Sequence, residues 1–239
     1  MALTADTLRF LAGLERNNTR DWFEPRKDEY IRFVRNPMLE LVAALNGHVS
    51  RFAPGYVTLP EKAIFRIYRD TRFSKDKRPY KTNAGALFWH RAVPKNSGAA
   101  FYVSVSAREA MIAGGLYRPG AAETLAIRKH IAERHGELRA LLRARGLRGR
   151  FGDLQGDSLA RAPKGFAPEH PAIDLLRRRD WVLWVTEAPQ TCLDAKFPKR
   201  VADGFRLLAP LVAFLNEPLI AQATRPRDPL AARVRSGRS

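Results

Sequence analysis

Cysteine is almost missing from this chain: of its 239 residues only Cys192 carries a thiol. One thiol excludes an intrachain disulfide framework and a cysteine-built zinc site, and it fits a reducing compartment. Long apolar runs are missing too. The longest, residues 207–215, is interrupted by Pro210 and falls well short of the ~20 apolar residues that span a bilayer, so no membrane association is expected. The opening residues Met1 to Asp6 hold no basic region followed by an apolar core, so no secretory leader is expected and the expected location is the cytoplasm. Familiar catalytic signatures are absent: there is no Gly-x-x-x-x-Gly-Lys-Ser/Thr, no Gly-x-Gly-x-x-Gly, no Gly-x-Ser-x-Gly and no His-Glu-x-x-His. The five histidines are scattered, and His130 and His135 fall on different faces of one helix. Neither a metal nor a cofactor is expected.

Negative charge is scarce as well, with 24 Asp+Glu against 42 Lys+Arg and a formal net charge of +18. The imbalance is local. Residues 1–62 are nearly neutral, whereas 63–100 carry nine basic side chains and two acidic ones, and 121–150 carry eight and three. Self-repulsion on this scale disfavours compaction, which points to a polyanionic partner or a phosphorylated ligand; an arginine-rich solvated surface is the plainer alternative.

Apolar content of 45% supports a real core. Leu8, Phe10, Leu11 and Leu14 recur at helical spacing after Thr4 and Asp6, and Asn17-Asn18 ends that helix. A second helix is expected from Thr19 or Asp21, broken or kinked at Pro37, and a third runs to Gly47. The period then changes to two. Strands are expected at 62–69, 84–90, 101–106 and 109–116, the last weakened or bulged at Gly114-Gly115, with a further central strand at 181–186. A helix is expected over 121–145, a loop at Gly146 to Gly152, an irregular stretch at 163–171, and a closing helix from Lys199 to about Ala223, interrupted near Pro210 and Pro218. The expectation is one α+β domain over residues 1–223. Its mostly antiparallel sheet has about five or more strands, covered by N-terminal and C-terminal helices, and a basic disordered tail follows at 224–239.

The densest segment lies between two expected strands. Arg66, Arg69, Arg72, Lys75, Lys77, Arg78 and Lys81 supply seven cations in sixteen positions. Arginine presents planar bidentate donors to phosphate and lysine a flexible point charge. Ser74, Thr71 and Thr82 add hydroxyls, and Tyr68, Phe73 and Tyr80 add aromatic surface able to stack a base. Asp70 and Asp76 either orient these cations or serve as acid/base groups. Two readings stand open: an anion-binding loop, or a loop pinned by its own Arg–Asp pairs. A second patch holds Lys164 beside Gly165, with His170 before Pro171 either structural or an acid/base candidate. Arg72, Lys75 and Lys164 are expected to converge on one anion.

The run Arg-Asp-Thr-Arg-Phe-Ser-Lys-Asp-Lys-x-Pro-Tyr-Lys-Thr at 69–82 resembles a known family signature. So do Gly114-Gly115-Leu116-Tyr117 with Pro119, and Pro163-Lys164-Gly165-Phe166 with His170-Pro171. Through them the chain resembles the bacterial and fungal family filed as domain of unknown function 2461, over roughly residues 4–222. The resemblance implies a single cytoplasmic-type domain without an assigned reaction. The leading expectation is a binding domain for a phosphate-bearing ligand, a nucleotide or nucleic acid. The ligand-binding candidates are Arg66, Arg69, Arg72, Ser74, Lys75, Lys77, Tyr80, Lys81, Lys164 and His170. The alternatives are an enzyme using Asp70, Asp76 or His170 on an anionic substrate, and a module for an acidic protein partner.

Overall fold

The computed structural model describes residues 3–72 and 74–224, so Phe73 and the tail expected beyond Thr224 lie outside the described residues. Helix α1 (Ala5–Arg16) buries Phe10, Leu11 and Leu14, and the N–H of Thr4 donates to the Thr7 hydroxyl at its start. Thr19 caps α2 (Arg20–Phe23) by accepting from Trp22 N–H. A 3-10 turn over Glu24–Arg26 holds Pro25 and leads into α3 (Lys27–Tyr30). A single wide, π-type turn over Ile31–Arg35 then opens into α4 (Asn36–Val49). Pro37 therefore does not break the helix. Proline has no N–H and crowds the carbonyl four residues back, here that of Phe33. The wide turn relieves the crowding, and the buried Thr7 hydroxyl donates to Phe33 O at 2.6 Å in place of the missing N–H.

After a short helix α5 (Pro60–Ala63) come β1 (Asn83–Trp89), β2 (Ala100–Ser106) and β3 (Ala110–Leu116). They are followed by α6 (Ala121–Arg143), α7 (Arg145–Phe151), α8 (Ile173–Leu176), β4 (Trp181–Glu187) and α9 (Phe197–Thr224). The four strands form one antiparallel sheet in the order β1-β2-β3-β4. Its register aligns cross-strand rows such as Leu87–Tyr102–Ala113–Trp184 and Trp89–Ala100–Gly115–Val182.

Four expectations are corrected. Residues 64–68 bond to the β1 backbone at the Ile64–Ala86 bridge, where Phe65 N–H donates to Gly85 O. Beyond Phe65 the chain pairs with its own return limb, Arg69 N–H donating to Pro79 O and Lys81 N–H to Ile67 O. Those bonds make a hairpin-like arm instead of a further strand, which leaves the sheet at four. Strand β4 lies at the sheet edge, not its centre; Gln155 covers that edge by pairing with Val182 and donating its side chain to Trp184 O. Gly146 and Gly149 sit within α7, and only Gly152, at φ 71°, ends it. Gly114 and Gly115 stay in register with no bulge.

One face of the sheet is packed. Phe88 and Phe101 meet Phe205 of α9 at ring-centroid distances of 5.5 and 5.0 Å. Helix α9 lies across β2 and β3, with α4 and α6 against it. By length and composition α9 could cross a bilayer, but Phe205, Leu208, Leu211, Val212, Phe214 and Leu215 are buried, the placement of a core helix. Pro210 and Pro218 are accommodated inside it. Asn216, fully buried on α9, accepts from Ala99 N–H at 2.8 Å and donates to Ala99 O and the Tyr56 hydroxyl, both at 2.7 Å. That network ties the chain entering β2 to the core helix.

Candidate functional site: a pocket on the open sheet face

The basic arm is largely pinned by its own two carboxylates. Asp76 accepts from Arg69 and from Arg78, each at 2.7 Å, and Asp70 accepts from Arg72 at 3.0 and 2.8 Å. The Arg72 side chain draws the Asp70 pKa down to about 2, and Arg78 draws that of Asp76 lower still. Both carboxylates are ionised at neutral pH and have no proton to donate. Lys77 donates to Thr71 O and Lys81 to Arg66 O, while Ser74 turns back through its N–H to Thr71 O. Lys75 is exposed. Tyr80 is a core residue: it is 1% exposed, stacks on Phe23 at 4.2 Å and donates its hydroxyl to Glu24.

The second patch stands elsewhere. His170 accepts from Ala172 N–H through Nδ1 at 3.0 Å and meets the His135 ring edge-on at 6.0 Å, so it serves the entry to α8. Lys164 is exposed in the same stretch. The arm leads into β1, whereas the 163–171 stretch leads through α8 into β4, the opposite edge strand. The two loops thus enter the sheet at opposite edge strands, three strand spacings of ~4.8 Å apart.

The arm does contribute at its base, where Phe65 and Lys81 join the wall of a pocket of about 550 Å³ on the open sheet face. Small residues make its floor: Gly85, Ala100, Ala113 and Gly115. Gly115 sits at φ 128°, and a Cβ there would fall 2.2 Å from Trp181 O, so only glycine lets β3 approach β4 this closely. Aromatic walls come from Phe65, Tyr102, Tyr117 and Trp184. Polar groups are few: Lys81, Asn83 and Asn96, the last held at φ 69°. Asn83 donates to the Tyr102 hydroxyl at 3.1 Å, and burial pushes the Tyr102 pKa up, so that hydroxyl keeps its proton.

Two amines flank Phe65. Lys81 Nζ stands 5.0 Å from the ring centroid, and Lys95 Nζ lies 5.2 Å from it and 5.0 Å from the Trp89 ring. Burial lowers the pKa of both, and for Lys81 the nearby Arg66 and Lys95 lower it further. Among the described residues no carboxylate lines the pocket or pairs with either amine. No described cluster of three or more His, Cys, Asp or Glu side chains could hold a metal ion. An aromatic, apolar cavity edged by unneutralised amines suits a planar ligand bearing an anionic group.

Of the expected binding residues, Lys81 is the one this pocket uses. Lys95, Asn96, Tyr102 and Trp184 were not singled out by sequence reasoning, whereas Tyr117 lies in the Gly114–Pro119 motif. The alternation at 101–106 did set Tyr102 on the polar side of its strand, and that was the only available signal.

The chain matches the model of the family described as Conserved hypothetical protein (DUF2461) over residues 6–214, and it belongs to that family. No curated protein and no solved structure matches it. The matched span contains the arm, all four strands and every residue of the pocket wall.

Proposed function

We propose that this protein is a binding domain for a phosphate-bearing ligand with a planar ring, by class a nucleotide, seated on the open face of the sheet. The ring stacks among Phe65, Tyr102 and Trp184, and the phosphate meets Lys81 and Lys95. One observation carries the reading: Lys81, a partly buried amine in the wall of an aromatic pocket, and Lys95, set against the same Phe65 ring, stand without a carboxylate to neutralise them. Repulsion and desolvation between such amines are relieved when an anion binds. Arg66 at the arm's base, exposed and outside every described ion pair, adds to the same positive rim. Acid/base catalysis by Asp70, Asp76 or His170 draws no support from their pairing, and none of the three lines the pocket. Buried Cys192 fits a reducing compartment, consistent with the cytoplasm.

Titrating the protein with AMP while following tryptophan fluorescence and heat tests this. Saturable binding is expected, with Lys81→Gln weakening it about tenfold, as for loss of a charge-assisted contact, and Trp184→Ala doing the same through lost stacking. Absence of saturable binding at millimolar AMP overturns it.

A further inference from the structure

The far rim of the pocket continues into a second basic surface. Tyr117, in the pocket wall, carries the Arg118 guanidinium 5.2 Å from its ring centroid. The Arg118 N–H donates to Asp180 Oδ1 at 2.7 Å, and Asp180 directly follows Arg177, Arg178 and Arg179. From α6, Arg128 donates to Leu176 O at 2.8 Å and to Arg178 O at 3.2 Å. Arg177 donates to Leu159 O at 2.7 Å, and Arg178 to Gln155 O at 3.2 Å. Arg161 lies two residues beyond Leu159 and is exposed, as is Arg179.

The guanidiniums of Arg128, Arg177 and Arg178 are held by carbonyl oxygens, not carboxylates. Asp180 is buried, and its two oxygens accept from the backbone N–H groups of Arg118 and Asp157. Among the described residues none of these six arginines forms an ion pair. Carbonyl anchoring orders Arg128, Arg177 and Arg178 while leaving their charge intact. The conformational entropy of presenting them to an anion is thus already lost on folding. Their crowding is felt within the surface, since burial and then Arg179 lower the Arg128 pKa. Six cations exceed what one phosphate can use; a chain of phosphates uses them all.

We infer that this arginine surface carries the phosphate backbone of a single-stranded nucleic acid whose terminal nucleotide occupies the pocket, an inference that rests on the nucleotide reading above. The pocket is sized for one nucleotide and lined by rings, the arrangement that stacks an unpaired base. A base held within a duplex stays in its stack and does not reach it.

The test uses the full chain, fluorescent eight-nucleotide RNA and DNA single strands, the matching duplex, and AMP as competitor, over ~50 to ~300 mM salt. Single strands should bind at least ~10-fold tighter than AMP, be displaced by AMP, and lose affinity steeply with salt, at a slope of about 0.7 per phosphate neutralised. The double variant Arg161→Ala/Arg179→Ala removes two exposed side chains and so leaves the fold intact by circular dichroism. It should weaken single-strand binding about tenfold at 0.1 M salt and lower the slope by about one. If AMP binds but single strands bind no tighter and without salt dependence, the inference fails while the nucleotide reading stands. If AMP does not bind, the nucleotide reading fails and this inference with it. Unchanged single-strand affinity in the double variant, equal affinity for the duplex, or binding of poly-glutamate in place of oligonucleotide each overturns the inference, the last in favour of an acidic protein partner.

Discussion

Thr7 shows how one side chain repairs a backbone defect at a distance. Its hydroxyl, on a fully buried side chain, serves the Phe33 carbonyl that Pro37 deprives of a helical donor, 26 residues along the chain. Thr7→Val keeps the shape and removes the donor, so the carbonyl is left unsatisfied; a loss of about 1–2 kcal/mol is expected in urea denaturation. The arm offers a pH-dependent counterpart. Asp70 and Asp76 have lower pKa values in the folded chain than in the unfolded one, chiefly because Arg72 and Arg78 donate to them. Groups shifted this way stabilise the fold above their unfolded pKa, near ~3.9, and cease to do so as pH falls through the folded value. The arm should therefore stay ordered at pH 5 and loosen between about pH 4 and pH 2. The guanidinium N–H resonances of Arg72 and Arg78 report this directly: loss of both by pH 5 would contradict the pairing.

At the scale of elements, the packing of β3 against β4 depends on a residue with no side chain. Gly115→Ala places a methyl group against the Trp181 backbone and forces an L-residue to φ 128°. Both effects act on backbone that has no room to move, so a loss of about 3 kcal/mol or more is expected. Gly136 is the contrasting case: it lies within α6, and a Cβ there meets nothing within 4 Å. Gly136→Ala should stabilise by about 0.5–1 kcal/mol through helix propensity and a less flexible unfolded chain. Thermal melts of the two variants should shift in opposite directions.

Across the whole molecule the dominant features are a full-chain charge of +18 and a sheet with one packed face and one carrying the pocket. Carbonyl-anchored arginines and flanking amines leave much of that charge without local partners, so the folded state carries self-repulsion that salt screens. Raising sodium chloride from ~20 to ~300 mM should lift the melting midpoint by about 2–4 °C, corresponding to ~1 kcal/mol at this size. Phosphate at equal ionic strength should lift it further, because a bound anion adds to screening. A midpoint that falls with salt would show that ion pairing, not repulsion, governs the surface.

Local signals in the chain were enough for most of its elements. Phe101, Val103 and Val105 alternate with Tyr102 and Ser106, and the inward three are fully buried. Leu8 to Leu14 recur at helical spacing, and α1 forms there. Short links between strands were enough to read an antiparallel meander. Where the reading missed, the backbone had found another partner: residues 64–68 bond to their own return limb, and Gln155 comes from outside the strands to cover β4. The arm's cations were plain in the sequence, but not which of them Asp70 and Asp76 would occupy. The pocket was the least legible part. Periodicity tells which side of a strand is apolar, but not that the other side stays uncovered, nor that Gly85, Ala100, Ala113 and Gly115 line up as a floor. Those facts depend on strand register and on α4, α6 and α9 gathering over one face, and such long-range packing leaves no mark in any local stretch of residues.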